Sequence, residues 1–317
     1  MRIPLWRRVI ALLSVGWLVG PGAACKDGKS DDVDRQSAPA ASAPADPAAR
    51  TTAEPRPATE SEHQAIFFEV TSAGGSKSWI LGTMHMGFDY QELPAAIWSR
   101  LGDAGTVVFE ADTRTMEEVV RDRAVLPEGQ SLEALLGPQT WARLQAELPQ
   151  IPADGLRRMP PWLVSSILLS RLFPTALPLD MAVLREAERA RKSLIFLEDM
   201  AWQADLLAEE MGPEAVVSLL DDASPMRRSL ADGAAAYQRG DFEALSRITL
   251  DPASLGGDEA QLERMIFSRN ARWHTLLAEP LARGRVFVAV GAAHLAGDKG
   301  LLAMLERDGF TVARVAR

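Results

Sequence analysis

Two apolar runs at opposite ends of the chain finish in the same way. "SWILGTMH" closes on Gly82-x-x-His85, and "RVFVAVGAAH" closes on Gly291-x-x-His294, 209 residues further on. Each run is dense in large apolar residues and reads as a strand. Glycine at the end of an apolar strand allows a sharp turn and a close backbone approach, which aims the following side chains past the strand end. In an open α/β sheet, ligands sit in the crevice outside the carboxyl ends of the strands. The repeated ending therefore asks for both strands in one sheet, with both histidines at the same edge. Histidine is scarce, 4 in 317 residues, so two in matching positions carry more weight than either alone. A lone histidine there would be read first as a hydrogen-bonded core residue.

The intervening pattern supports a sheet with helices around it. "HQAIFFEVTS", "AGGSK" and "SWILGTMH" read as strand, turn and strand, a hairpin. A short helix around "PAAIWSRLGDAG" leads into "TVVFEAD", a nearly all-apolar strand of the buried type. Residues 114 to 281 are mostly helical in pattern, broken by one strand, "SLIFLED" at 193–199. The chain then ends in strand, turn, helix and strand. No internal repeat of fixed period is visible. The expected class is α/β: a central mixed sheet flanked by helices, with a large helical insertion between the two Gly-x-x-His halves.

The first 24 residues stand apart from this domain. Arg2, Arg7 and Arg8 precede an uncharged stretch from Val9 to Ala24, which is shorter than the roughly 20 residues that span a bilayer as a helix. A basic segment, an apolar segment and small residues before a cut describe a secretory signal. The chain's one cysteine, Cys25, follows Gly22-Ala23-Ala24, as in a bacterial lipoprotein processing site, although Gly22 stands where leucine is usual. Cys25 is thus the expected lipidation site; cleavage after Ala24 without lipidation is the simpler alternative. Residues 25–62, rich in Pro, Ala, Ser and Asp, cannot bury enough surface to order themselves and read as a tether. Residues 63–317 form the folded domain. The expected location is outside the cytoplasm, membrane-anchored through lipid on Cys25. The net charge of −9, with no basic run beyond the extreme N-terminus, argues against nucleic acid as a partner.

Glu110, at the end of "TVVFE", is placed like the two histidines. Two imidazoles and a carboxylate suit a catalytic divalent metal with open positions. The same three could act without metal, as a general base and its orienter. Glu110 could equally cap a helix. The helix "QLERMIFSRNARWHTLLAE" (261–279) adds a second signal: Leu262, Ile266, Trp273 and Leu277 form an apolar stripe, and Arg269 and Asn270 fall within it. An inward guanidinium needs an anion, because an unpaired buried charge is very costly. Glu110, Glu198, or a substrate carboxylate or oxyanion could supply it. Asp180 reads first as a helix N-cap. Glu198, followed by Gln203, ends another buried strand, where a cap and a site residue look alike. Gly82 and Gly291 are supporting backbone positions.

The pieces "WILGTMHMG", "VVFEAD", "LDMAVLREAERARKSLIFLED…Q", "SRNARW" and "VAVGAAHLAGDKGLLAMLERDGFTV" occur in an order that resembles the TraB/GumN family over residues 65–316. That family is related to the Tiki metalloproteases and, more distantly, to erythromycin esterases and haem-binding ChaN-like proteins. The resemblance implies an α/β fold and a hydrolase-like site at His85, Glu110 and His294, with Arg269 and Asn270 beside it. It also implies a metal-dependent peptidase, using manganese or cobalt rather than zinc, that acts on peptides. Thr83-Met84 stand where esterase-like relatives carry an acidic residue before the histidine, so erythromycin esterase activity is not expected. The rival expectations are a non-catalytic haem- or metal-binding lipoprotein using the same crevice, and an inactive scaffold. For haem, Tyr90, Tyr237, Met84 and Met86 would be the residues to consider beside histidine.

Overall fold

The computed structural model describes residues 65–84, 89–172, 178–252 and 257–315. Its strands are β1 (Phe67–Thr71), β2 (Lys77–Thr83), β3 (Thr106–Ala111), β4 (Ser193–Glu198), β5 (Val286–Gly291) and β6 (Thr311–Arg314). They form one sheet in the order β4-β3-β5-β2-β1-β6. The strands with the most continuous apolar runs, β3, β5 and β2, occupy its middle, because only residues of that kind tolerate cover on both faces. β4, β3, β5 and β2 run parallel, whereas β1 is antiparallel to β2 and β6 to β1. The mixed sheet and the β1–β2 hairpin agree with the pattern read from the sequence.

The register brings the carboxyl ends of the four parallel strands level. Thr83 pairs with Gly291, Phe109 with Ala289, and Ala111 with Glu198. Residues far apart in the chain are thereby lined along one edge.

Helices fill the connections as expected, at Ala95–Asp103 after β2, from Met116 to Arg189 between β3 and β4, and from Met200 to Arg283 between β4 and β5. They bury their apolar faces in two clusters. One joins the sheet to the helices Leu179–Arg189 and Ser268–Arg283 through residues such as Ile80, Val108, Val183, Trp273 and Leu281. The other is built largely from helices alone, around Leu132, Trp141, Leu144, Trp162, Leu163 and Ile167. The helical insertion thus has a core of its own and does not depend on the sheet for all its burial.

Gly82 shows why the end of β2 needs a glycine. A Cβ there would lie 2.8 Å from Ile66 Cγ2 and 3.0 Å from Ala292 Cβ, closer than packed carbons allow. The Gly82 carbonyl accepts a 2.6 Å hydrogen bond from the hydroxyl of Tyr237, which is fully buried on the helix Ser224–Gln238. Burial raises the Tyr237 phenol well above its ordinary value, since the phenolate would be left without water. The sign follows: the unfolded chain loses this proton near pH ~10, the folded one does not, so the contribution is complete below that pH and is lost as pH rises. Tyr237→Phe should cost about 1–3 kcal/mol at neutral pH. In thermal melts compared at pH 7 and above 10, the gap between wild type and variant should narrow. A gap that is constant with pH would refute the assignment.

Candidate functional site

The buried charges gather at the level edge of the parallel strands. Glu110 and Glu198 leave the ends of β3 and β4, and His294 lies three residues past Gly291 in a short turn after β5. Arg269 and Asn270 begin the helix Ser268–Arg283 and point inward. All five are buried: Glu110 9 %, Glu198 8 %, Arg269 4 %, His294 4 % and Asn270 0 % exposed.

Arg269 is the hub. Its Nη2 donates to Glu110 Oε2 at 3.0 Å and to Glu198 Oε2 at 2.9 Å, and its Nε donates to both Glu198 oxygens at 3.1 Å. Its Nη1 donates to the Met265 carbonyl at 2.9 Å and lies 3.3 Å from His294 Nε2. Its guanidinium also lies over the Trp273 ring, 4.7 Å from the centroid. Of the anions open to Arg269 on sequence grounds, the structure chooses both glutamates. Arg272, half exposed and lying over Trp202, reaches Glu198 Oε1 at 2.9 Å. Two guanidiniums thus face two carboxylates, and the cluster is formally neutral.

His294 is held in one orientation. Asn270 Nδ2 donates to the carbonyls of His294 and Lys299 at 3.1 and 2.9 Å, which leaves its Oδ1 as the atom 2.7 Å from His294 Nδ1. An amide oxygen only accepts, so Nδ1 carries the proton and Nε2 keeps its lone pair. The imidazole also packs against Trp273, with centroids 4.2 Å apart. Gly291 completes the arrangement. Its N–H donates to Glu110 Oε1 at 2.6 Å, and a Cβ on it would come within 3.1 Å of that oxygen. Only a bare Cα gives the carboxylate full room.

Beside the cluster lies a cleft of about 880 Å³, counted with its open mouth, with Glu110, Arg269 and His294 on its wall. Most of the remaining wall is apolar, including Met84, Leu230, Leu245, Met265 and Ile266.

Several expectations change here. Asp180 is not an N-cap: Pro178 holds that position and Asp180 sits in the first turn of Leu179–Arg189, where a carboxylate still favours the helix dipole. The cap of the helical turn after β3 is Asp112, which accepts from Arg114 N, and not Glu110. The long helix expected at 261–279 is interrupted by a wide π turn, Glu263–Phe267, before Ser268–Arg283. Leu262 and Ile266, expected in the buried stripe, are only partly buried, and Ile266 lines the cleft. The site also gains Gln203, whose Nε2 donates to Glu198 Oε2 at 3.0 Å, and Arg272. Arg272's place one turn beyond Arg269 was the available signal. His85, Met86, Cys25 and the whole of residues 1–64 lie outside the described residues. Among the described residues, no three His, Cys, Asp or Glu side chains gather closely enough to hold a metal ion, and no helix is long and apolar enough to cross a membrane. The Tyr237 hydroxyl is turned to the Gly82 carbonyl.

One mixed sheet, with a charge-balanced polar cluster beyond its parallel strand ends and an apolar cleft beside it, makes this an α/β protein. The model of the TraB/PrgY/gumN family matches residues 66–314, and the chain belongs to that family. It is similar to the uncharacterized protein YbaP of Shigella flexneri and to that of Escherichia coli K12. Each is 25 % identical over 248 residues, which cover 75 % of this chain and 90 % of the relative. No solved structure matches the chain.

Proposed function

We propose that this protein is an exported, lipid-anchored hydrolase of peptide substrates, with its site at His85, Glu110 and His294 and a divalent metal, manganese or cobalt, as its cofactor. The observation that carries this reading is the fixed tautomer of His294, whose Nε2 lone pair faces the cluster. Histidines that ligate metals, and histidines that act as bases, are held in this way through the other ring nitrogen. Of the described residues, His294 Nε2 and the Glu110 carboxylate are the donors to consider. His85 would be the third, and the Arg269 guanidinium that contacts both would have to move aside for an ion to bind. A bound divalent ion would polarise a substrate carbonyl and make water a better nucleophile.

The chain's own residues have roles that follow from their contacts. Asn270 sets the His294 tautomer. Gly291 N–H and Arg269 hold Glu110 from two sides. Arg269, engaged here by Glu110 and Glu198, would donate to a developing oxyanion by giving up one of those contacts. The basic-then-apolar N-terminus ending at Cys25 supports export and lipidation.

The test is a peptide-library digest by the purified full chain with manganese, cobalt or zinc added, read by mass spectrometry. Cleavage is expected with manganese or cobalt, and His294→Ala should reduce it at least ~100-fold. Absence of cleavage with all three metals, or an unchanged rate in His294→Ala, would overturn the proposal.

A further inference from the structure

From the charge balance and lining of the cleft we infer the chemistry of its ligand: a neutral, internal amide next to an aliphatic side chain, with the Thr83 hydroxyl as an additional hydrogen-bonding group for it. The inference deepens the proposed hydrolase reading and rests on it for the identity of the reacting bond. Three observations lead there.

The first is that the cluster has no net charge to offer. Arg269 and Arg272 are matched by Glu110 and Glu198 at 2.9–3.0 Å. Without a metal ion, a ligand carboxylate arriving at Arg269 would meet Glu110 and Glu198 at the same place, and a cationic ligand group would meet Arg269. The metal-free site penalises a charged ligand group of either sign, because neither gains a partner that is not already engaged. A neutral amide meets no such penalty.

The second is the wall. Met84, Leu230, Leu245, Met265, Ile266 and Ala292 face the cleft, and its polar groups, Thr83 among them, are few. An apolar wall of that size rewards an aliphatic group.

The third is Thr83. It lines the same cleft, is 3 % exposed, and its Oγ1 has no hydrogen-bond partner among the described residues. A buried hydroxyl without a partner is rare and calls for an explanation. Thr83 pairs with Gly291 in the sheet, which places it next to the residue that holds Glu110. Threonine's hydroxyl and methyl exchange by rotation about one bond, so a ligand amide on that wall can take the hydroxyl as donor or acceptor. Thr83 is here a positioning residue.

The probes are N-acetyl-leucine methylamide, its free acid N-acetyl-leucine, and N-acetyl-glycine methylamide. Each is titrated into the full chain without added metal and followed by saturation-transfer NMR. The leucine methylamide should bind, and both the free acid and the glycine amide should bind at least tenfold more weakly. Thr83→Val should weaken the leucine methylamide at least fivefold while leaving the melting temperature equal or higher, since it removes an unpartnered polar atom. Thr83→Ser should stay within twofold of wild type. Equal or tighter binding of the free acid overturns the inference, and so does unchanged affinity in Thr83→Val. No turnover is measured, so a failed peptide digest leaves this result readable by itself. A successful digest with these probes unbound would sink the inference alone.

Discussion

Arg269→Met should be the most damaging single substitution in the protein, lowering stability by about 3–5 kcal/mol. Its guanidinium is the shared partner of Glu110 and Glu198, and methionine fills a similar volume without supplying a donor. Both carboxylates would stay behind in a buried place, with Arg272 answering only for one oxygen of Glu198. The loss therefore comes less from the bonds removed than from the charges left. A companion variant separates the two. Arg269→Met combined with Glu110→Gln and Glu198→Gln removes the stranded charge and should recover a large part of the stability. Arg269→Lys should recover little, because an ammonium cannot present the fork that reaches two carboxylates, the Met265 carbonyl and His294 together. Urea midpoints of the four proteins decide the matter. If the single methionine variant melts like wild type, the ion cluster is not the energetic centre that its geometry implies.

The second large effect is expected at Asn270, and there function should suffer as well as stability. Asn270→Leu keeps the size but removes the acceptor for His294 Nδ1 and the donor to two buried carbonyls. Without that acceptor the ring keeps only the 3.3 Å contact of Nε2 with Arg269 Nη1, and the imidazole can turn or carry its proton on Nε2. Losing a partner of this kind typically lowers metal affinity or activity by about 10–100-fold. Asn270→Asp should behave differently, since a carboxylate still accepts from Nδ1 but repels the carbonyls of His294 and Lys299. It should keep more activity than leucine despite comparable loss of melting temperature. The ring-nitrogen shifts of His294, followed by ¹⁵N NMR, report the tautomer directly. A leucine variant with the wild-type tautomer would contradict this account.

The strand framework was readable in advance because the information is local. "TVVFEA" and "VFVAVG" are apolar throughout, and only a doubly covered strand uses such a run. Arg269 was readable for a related reason: a charged residue in an apolar helical stripe must find an anion. Which anion it finds depends on strand register, and register is not written in any one segment. The level ends of β3, β4 and β5 alone bring Glu110, Glu198 and His294 to one guanidinium. Asp180 was misplaced by one turn-start because Pro178, with its fixed φ, opens the helix first. The π turn at Glu263–Phe267 left no mark in the hydrophobic pattern, since one extra residue per turn only shifts the phase of the stripe.

That turn divides one helical segment into two parts with separate obligations. Downstream, Trp273, Leu277 and Leu281 are wholly buried and clamp Arg269 and Asn270 in place. Upstream, Met265 and Ile266 lie in the wide turn and face the cleft. Residues in the loosened turn can change size or drift in pitch without twisting the anchored half. The protein can therefore vary what fits its cleft while its charged machinery stays as it is, a division of labour made by one additional residue in a helix.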